Sequence, residues 1–164
     1  MKIVNYTYLD VDGNYFHQGS GQSKKQFNIF QQNGPRKDGR LSVPDLEAIY
    51  DFLKIDYPKF YKMDPLSQLG ILLTEELMKT SSVEKPSGIL IWNKHSSYNA
   101  DIKHIDNIKN GISGPANFTY TLPNIVVGEI SIRHKITGET GVFLNEELAP
   151  SQMATITEMY MKTS

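Results

Sequence analysis

The sequence predicts an α/β fold, with helices packed on a layered sheet. An amphipathic helix is expected over residues 65–79, because leucines recur there at helical spacing. These leucines are Leu66, Leu69, Leu73 and Leu77. A continuous apolar run over residues 88–92 follows, which is typical of a strand buried on both faces. Helix, loop and buried strand in this order are characteristic of layered α/β folds.

Composition and charge restrict the class of protein. The 164 residues suffice for one domain with a core, so we expect a single domain over 1–164. The net charge of −1 argues against a nucleic-acid partner. Cysteine is absent, which excludes disulfides and thiolate metal sites and fits a reducing compartment such as the cytoplasm. The N-terminus lacks the apolar core of a signal peptide, and we expect no membrane span.

The first part of the chain carries weaker signals. Residues 2–9 predict a strand, because tyrosine and valine are frequent and apolar side chains partly alternate. Residues 16–30 are polar and predict a loop, with a short second strand over 27–30. A small basic cluster follows, which we interpret as a solvated loop, with contact to an acidic partner as the alternative. It consists of Arg36, Lys37 and Arg40.

Two helices precede the apolar run. Pro44 suits the first turn of a short helix over residues 43–53. Asp64 is the predicted N-cap of the longer helix, and Pro65 is its first residue. An aromatic cluster lies between the two helices, and we interpret it as core packing or a lid rather than a ligand-stacking site. Its members are Tyr57, Phe60 and Tyr61.

A polar loop and a third helix follow the apolar run. The loop holds His95 and Ser96, which are a poor base and nucleophile pair because adjacent residues rarely hydrogen-bond productively. Asn99 or Asp101 is the predicted cap of the helix, and we expect His104 on its solvated face. We predict no metal site, because no further ligand stands at the required spacing from the histidines. The predicted buried face of the helix consists of Ile102, Ile105 and Ile108.

Residues 125–132 are ambiguous when read alone. Their β-branched side chains favour a strand. Thr121, two residues before Pro123, is instead a pattern that starts a helix, and Gly128 would weaken a strand. Both interpretations stay open on this evidence from the residues alone.

Residues 114–129, GPANFTYTLPNIVVGE, with the glycine turn at 137–140, resemble the β-ketoacyl synthase family of the thiolase superfamily. In that family a Pro-aromatic loop leads to an Asn that begins a helix with an internal Gly. A glycine turn and a strand ending at the nucleophile come next. The likeness is greatest to short, divergent synthase-like proteins of polyene and aryl-lipid pigment clusters. It implies a helix over 124–134 and the N-terminal half of a thiolase-like fold, with a mixed sheet and helices on both faces.

The resemblance also implies where a synthase site would lie. The family's nucleophilic cysteine corresponds to about Glu147, beside Glu146, and a carboxylate is a poor acyl acceptor because its acyl product is an anhydride. We expect no second half with the family's catalytic histidines. The residues expected to shape the acyl pocket are Phe118, Tyr120, Thr121 and Asn124. The strand expected at the dimer edge consists of Val142, Phe143 and Leu144.

We therefore expect a synthase-like partner subunit in fatty-acid, polyene or aryl-lipid biosynthesis, without independent condensing activity and without a cofactor. Its expected partners are a full-length ketosynthase and an acyl-carrier protein, in a homo- or heterodimer. One alternative is a decarboxylase or acyl hydrolase that uses Glu147, His134 or His95. Another alternative is an interaction module unrelated to acyl chemistry, which would use the aromatic cluster.

Overall fold

The computed structural model describes residues 5–9, 14–19, 25–28, 43–80, 87–112, 114–146 and 150–163. The chain divides into two compact units, Met1–Val83 (unit 1) and Glu84–Ser164 (unit 2). The expectation of a single domain over 1–164 stays a prediction. The basic cluster of Arg36, Lys37 and Arg40, and Glu147, lie outside the described residues.

Unit 1 begins with a three-stranded antiparallel sheet of β1 (Asn5–Leu9), β2 (Asn14–Gly19) and β3 (Lys25–Asn28). The central strand is β2, which pairs along its whole length with β1 and over four residues with β3. The predicted first strand is confirmed over 5–9. The predicted loop was wrong over 16–19, because backbone pairing on both sides makes β2 a strand in spite of its polar sequence. The short strand predicted over 27–30 is found in β3, which covers 27 and 28.

Three helical segments are described in unit 1. They are α1 (Val43–Phe52), a 3₁₀ helix (Pro58–Lys62) and α2 (Pro65–Thr80). Both predicted helices are confirmed to within one residue at each end. The Asp64 carboxylate accepts hydrogen bonds from the backbone N–H groups of Leu66 at 3.1 Å and Ser67 at 3.2 Å. Asp64 is therefore the N-cap that the sequence predicted.

The aromatic cluster is part of the core of unit 1. Phe60 is fully buried, and its ring stacks on Tyr50 with centroids 4.4 Å apart. Tyr61 lies edge-on to Phe60 at 5.6 Å. Gln68 Nε2 donates a hydrogen bond to the Phe60 carbonyl at 3.1 Å, and the Tyr57 N–H donates one to Tyr50 Oη at 2.7 Å. Core packing, the first of the two predicted roles, is confirmed for Phe60, whereas Tyr61 packs against it from an exposed position.

Helix α2 buries a different face from the predicted one. Its four leucines are only half-buried. The buried side chains are instead Ser67, Gln68, Ile71, Leu72 and Glu76. Apolar residues occur on both faces of this helix, so the packing of α1, β1 and the 3₁₀ helix against it selects the covered face.

Unit 2 is built on a two-stranded parallel sheet. Strand β4 (Ile89–Asn93) pairs with β5 (Thr140–Leu144), with Ile89 opposite Thr140 and Asn93 opposite Leu144. The strand predicted over 88–92 is confirmed to within one residue. Its predicted burial on both faces was wrong, because every β4 residue is half-buried in a sheet of two described strands.

Four helices accompany this sheet: α3 (Tyr98–Lys109), α4 (Pro115–Thr119), α5 (Ile125–His134) and α6 (Pro150–Thr163). Residues 125–132, which were ambiguous, are helical. Helix α5 packs on both β4 and β5, and it buries Val126, Val127 and Ile130. Burial against the sheet outweighs the β-propensity of these side chains.

Two glycines allow the start of β4 to approach the turn before β5. The Gly138 N–H donates a hydrogen bond to the Ser87 carbonyl at 2.9 Å, and the Ile89 N–H donates one to the Glu139 carbonyl at 3.0 Å. A Cβ atom at Gly138 would overlap the Ser87 carbonyl, and one at Gly88 would overlap the Glu139 carbonyl. The turn before β5 and the start of β4 therefore approach so closely that only glycine fits at Gly88 and Gly138 without a shift of the backbone.

Helix α3 exposes the face that the sequence predicted to be buried. Ile102, Ile105 and Ile108 are all exposed, whereas Ala100 is buried and His104 is half-buried. The predicted solvation of His104 was wrong, because its ring lies 5.8 Å from that of Phe118. The predicted caps Asn99 and Asp101 were also wrong. The helix begins after Ser97, whose hydroxyl bonds elsewhere.

The described elements therefore form an α/β structure with a small parallel sheet. The antiparallel and the parallel strands belong to separate sheets. A layered mixed sheet with helices on both faces stays a prediction.

Candidate functional site

The carboxyl ends of β4 and β5 lie side by side at one edge of the parallel sheet. The Asn145 N–H continues the pairing beyond β5, donating a hydrogen bond to the Asn93 carbonyl at 3.2 Å. Two polar segments leave this edge, the 93–97 loop after β4 and Asn145–Glu146 after β5. Ligands of α/β proteins bind at this edge of a parallel sheet. The edge is therefore the candidate site.

The 93–97 loop is shaped by its own side chains. Asn93 Oδ1 accepts a hydrogen bond from the Ser96 N–H at 2.5 Å, and Ser96 has a left-handed backbone with φ of 52°. Ser97 is buried, and its Oγ donates a hydrogen bond to the Thr121 carbonyl at 2.5 Å. This bond ties the 93–97 loop to the segment that carries the aromatic residues. His95 is exposed.

The segment after β5 leads to helix α6 within a few residues. Asn145 Nδ2 donates a hydrogen bond to Gln152 Oε1 in the first turn of α6 at 3.2 Å. Glu146 is exposed. The side chains described here are thus an amide and a carboxylate, next to Glu147, where the resemblance places the nucleophile and which lies outside the described residues. The carboxylate can accept hydrogen bonds from a ligand, but it is a poor acyl acceptor.

The aromatic segment joins α4 to α5. Phe118 is exposed. Tyr120 Oη donates a hydrogen bond to Oε1 of the buried Glu129 at 3.2 Å, which anchors the segment to α5. Thr121 Oγ1 donates one to the Phe118 carbonyl at 2.7 Å. Asn124 is exposed and is the N-cap residue of α5, where its carbonyl accepts the Gly128 N–H at 3.2 Å.

The predicted site residues thus fall into linked pairs. Thr121 is joined to Ser97 of the 93–97 loop, Tyr120 to Glu129, and Phe118 to His104 through ring contact. Their role in shaping an acyl pocket stays a prediction.

Strand β5 has one paired edge and one edge without a partner among the described strands. Phe143 stacks on Trp92 with ring centroids 5.1 Å apart and meets Tyr160 of α6 edge-on at 6.0 Å. These ring contacts join β5 to β4 and to α6. Val142 is half-buried and Leu144 is exposed at the end of the strand. The dimer-edge role of the three residues stays a prediction.

Sequence reasoning missed the side chains that hold the site together. Asn93 and Ser97 shape the 93–97 loop, Glu129 anchors the aromatic segment, and Gln152 joins α6 to Asn145. One signal was available, because an Asn followed by Ser residues directly after a strand is typical of a side-chain-stabilised turn. Glu129 gave no signal, since a helical Glu is ordinarily solvated.

The residues of the alternative functions are distributed over different elements. His95 lies in the 93–97 loop and His134 is the last residue of α5, whereas Glu147 lies outside the described residues. Across the part of the chain that the structure describes, no cluster of three or more His, Asp or Glu side chains could hold a metal ion. The described helices also include none long and apolar enough to cross a membrane.

Comparison with known proteins identifies the class of fold. The fold of this chain is similar to that of a ketosynthase. A solved structure that shares it is the ketosynthase ApeO in complex with its chain length factor ApeC, from Xenorhabdus doucetiae. The match has a TM-score of 0.54 and 16% sequence identity over 74% of this chain.

The chain spans 57% of the length of the chain that it matches. No protein-family model and no curated protein sequence matches it. The likeness is therefore one of fold.

Proposed function

We propose that this chain is a ketosynthase-like partner subunit in fatty-acid, polyene or aryl-lipid biosynthesis, without condensing activity of its own. The observation that carries the proposal is the site at the carboxyl ends of β4 and β5. It combines a ketosynthase-like fold with Asn145 and Glu146 after β5, in a chain without cysteine. The ketosynthase-like fold supports a scaffold of this kind, and the absence of cysteine from the sequence supports the lack of the thiolate that ketosynthase chemistry requires.

The proposed partner is a full-length ketosynthase, with an acyl-carrier protein as the source of acyl chains. The similar structure is a complex of a ketosynthase with its chain length factor, which supports this kind of pairing. The proposed contact surface is the open edge of β5, since an unpaired strand edge is a template for pairing with another chain. Leu144, exposed at the end of this edge, provides an apolar contact.

Reconstitution tests the proposal. A cysteine-containing ketosynthase and its malonyl- and acyl-loaded carrier protein are incubated with and without this chain, and the products are measured by mass spectrometry. We expect no condensation product from this chain alone, and a changed rate or product length when it joins the ketosynthase. A condensation product from this chain alone, or no effect and no complex with any ketosynthase, would overturn the proposal.

Two variants localise the contact. Leu144→Asp is expected to weaken the complex with the ketosynthase at least about tenfold, because a buried charge would replace an apolar contact. Met159→Asp is the matched control, because Met159 is also exposed and apolar but lies on α6. Equal weakening by both variants would argue against the β5 edge as the contact.

Intact-mass measurement after incubation with malonyl-carrier protein separates the alternative functions. Release of carbon dioxide or of free acid by this chain alone, lost in Glu147→Gln, would favour a decarboxylase or hydrolase. The interaction module built on the aromatic cluster receives little support, because Phe60 is fully buried in the core of unit 1.

A further inference from the structure

The end of helix α3 carries an asparagine followed by a glycine, Asn110–Gly111. The helix ends here in a Schellman motif, in which Gly111 has a left-handed backbone with φ of 70°. The Gly111 N–H donates a hydrogen bond to the Ile108 carbonyl at 3.0 Å, and the Ile112 N–H donates one to the Asn107 carbonyl at 2.8 Å. Residues 110–112 are all exposed. The motif is thus a solvent-exposed helix end that is closed by its own hydrogen bonds.

An asparagine that precedes a glycine is prone to deamidation, because glycine has no side chain to hinder attack by its backbone nitrogen. In this reaction the Gly111 nitrogen loses its proton to the solvent and forms a bond to Asn110 Cγ. The bond from Cγ to Nδ2 breaks, and Nδ2 takes up a proton and leaves as ammonia. Water then adds to a carbonyl carbon of the resulting succinimide ring, which opens to aspartate or to isoaspartate. The reaction consumes only water.

The folded structure holds this pair in an unreactive arrangement. The ψ of Asn110 is 9°, which turns the Gly111 nitrogen toward the backbone nitrogen of Asn110 and away from its side chain. The Gly111 N–H is engaged with the Ile108 carbonyl. Asn110 Nδ2, the leaving group, donates a hydrogen bond to the Asp106 carbonyl at 2.8 Å. The succinimide ring can therefore form only after the last turn of α3 has opened.

We propose that Asn110 is a modification site, where deamidation through Gly111 proceeds at a rate set by the opening of this turn. Opening is expected because helix ends fray and the turn lies in solvent. Closing after the reaction is disfavoured, because the product lacks the Nδ2 donor to the Asp106 carbonyl and places a negative charge at the carboxyl end of a helix. Isoaspartate also adds a methylene group to the backbone, so the Schellman bonds no longer match. The modification therefore unfastens the end of α3, from which the chain leads to α4.

Peptide mapping by mass spectrometry, after incubation at mildly alkaline pH, measures the reaction at Asn110. The mapping must resolve the position, because the sequence holds a second Asn–Gly pair, Asn33–Gly34, which lies outside the described residues. We expect aspartate and isoaspartate at Asn110, formed at least about tenfold faster in urea than in the folded chain, because urea removes the closed turn. Equal rates in both, or no product at Asn110 in the folded chain while the chain in urea is converted, would overturn the proposal.

Two variants separate the chemistry from the opening of the turn, each compared with its own rate in urea. Gly111→Ala should slow the reaction at least about tenfold in both conditions, because its Cβ hinders the attack, although alanine at a left-handed φ opens the turn more often. Ile112→Pro removes the donor to the Asn107 carbonyl and should speed the reaction about fivefold in the folded chain alone. Circular dichroism establishes that both variants are folded. An unchanged rate in Gly111→Ala would exclude the succinimide route, and an unchanged rate in Ile112→Pro would exclude control by the turn.

The consequence of the modification is measured on Asn110→Asp, which carries the charge of the product. Hydrogen exchange of the Gly111 and Ile112 amides should be about fivefold faster than in the wild type, because the Schellman motif is weaker. Asn99→Asp is the matched control, since Asn99 is an exposed residue in the first turn of the same helix. Equal exchange in the wild type and Asn110→Asp would show that the turn tolerates the new charge and that the proposed unfastening is wrong. Ketosynthase binding at the β5 edge uses other residues, so this inference is independent of the proposed function.

Discussion

The two units differ in what they do with large apolar side chains. Where the burial of unit 1 is described, over residues 46–79, most of its large apolar side chains are buried or half-buried, and only two are exposed, Phe52 and Tyr61. The described part of unit 2 buries Ala100, Val126, Val127 and Ile130. It exposes a much larger set: Tyr98, Ile102, Ile105, Ile108, Ile112, Phe118, Leu122, Ile132, Leu144 and Met159.

This difference separates a unit with a closed core from a unit built around open surfaces. Scattered exposed apolar side chains are ordinary in proteins, but a contiguous apolar surface marks a place for a partner. Unit 2 exposes neighbouring apolar side chains along α3, at Ile102, Ile105 and Ile108. It also carries the candidate site. We therefore expect a mutation in the core of unit 1 to lower the free energy of unfolding more than a mutation in unit 2.

The largest effect is expected in the closed core of unit 1. Phe60→Ala should lower the free energy of unfolding of this unit by about 3–5 kcal/mol, because a fully buried ring leaves a cavity. Tyr61→Ala is the control on the adjacent, exposed side chain and should cost much less. Hydrogen exchange of the α2 amides measures the loss of stability in both variants. Similar losses in Phe60→Ala and Tyr61→Ala would show that Phe60 is not the centre of the core of unit 1.

A smaller effect is expected at the sheet of unit 2. Gly138→Ala should destabilise this unit by about 1–3 kcal/mol, because the new methyl group overlaps the Ser87 carbonyl. The fluorescence of Trp92, the only tryptophan and a β4 residue, reports unfolding there.

Gly128→Ala is the matched control for the glycine turn. Its Cβ would meet nothing within 4 Å, and it lies inside α5, so this change should stabilise the unit by about 0.5–1 kcal/mol. Destabilisation by Gly128→Ala, or none by Gly138→Ala, would contradict the packing described for unit 2.

The helix cap of unit 1 should contribute less again. Asp64→Ala removes the acceptor for the Leu66 and Ser67 N–H groups and should cost about 1 kcal/mol. Asp64→Asn retains an acceptor oxygen and should recover most of the loss. Urea denaturation of the three proteins makes the comparison, and an equal loss in both variants would show that the charge, rather than the cap, matters.

The smallest effect concerns alkaline pH. Desolvation, followed by the nearby Asp51 carboxylate, raises the pKa of Tyr61 above its ordinary value of 10.0. Above pH 10 the folded chain therefore keeps the Tyr61 hydroxyl proton more than the unfolded chain does. The contribution of this group to the free energy of unfolding is complete below pH 10, and it is lost as the pH rises through the raised pKa.

Tyr61→Phe isolates this contribution. The variant should lose slightly less stability than the wild type does between pH 9 and pH 11. Parallel thermal melting measures the difference, and identical pH profiles would show that the Tyr61 proton does not contribute.

The sequence alone determined the local features. Asp64 and Pro65 mark the start of α2 because capping depends on the residues at the cap itself, and the apolar run at 88–92 is typical of the strand that forms there. The aromatic and glycine pattern over 114–140 indicated a ketosynthase-like fold. The order of loop, helix, turn and strand follows that pattern.

Tertiary structure alone decided which faces are covered. Periodicity shows that α2 and α3 have apolar stripes, but it does not show which neighbours lie against them. In α2 the neighbours cover Ile71 and Leu72 rather than the four leucines, and in α3 they cover Ala100 and leave Ile105 in solvent. Burial depends on contacts between distant residues, which the sequence of one helix does not contain. The side-chain hydrogen bonds that hold the candidate site together also join residues that are distant in the sequence.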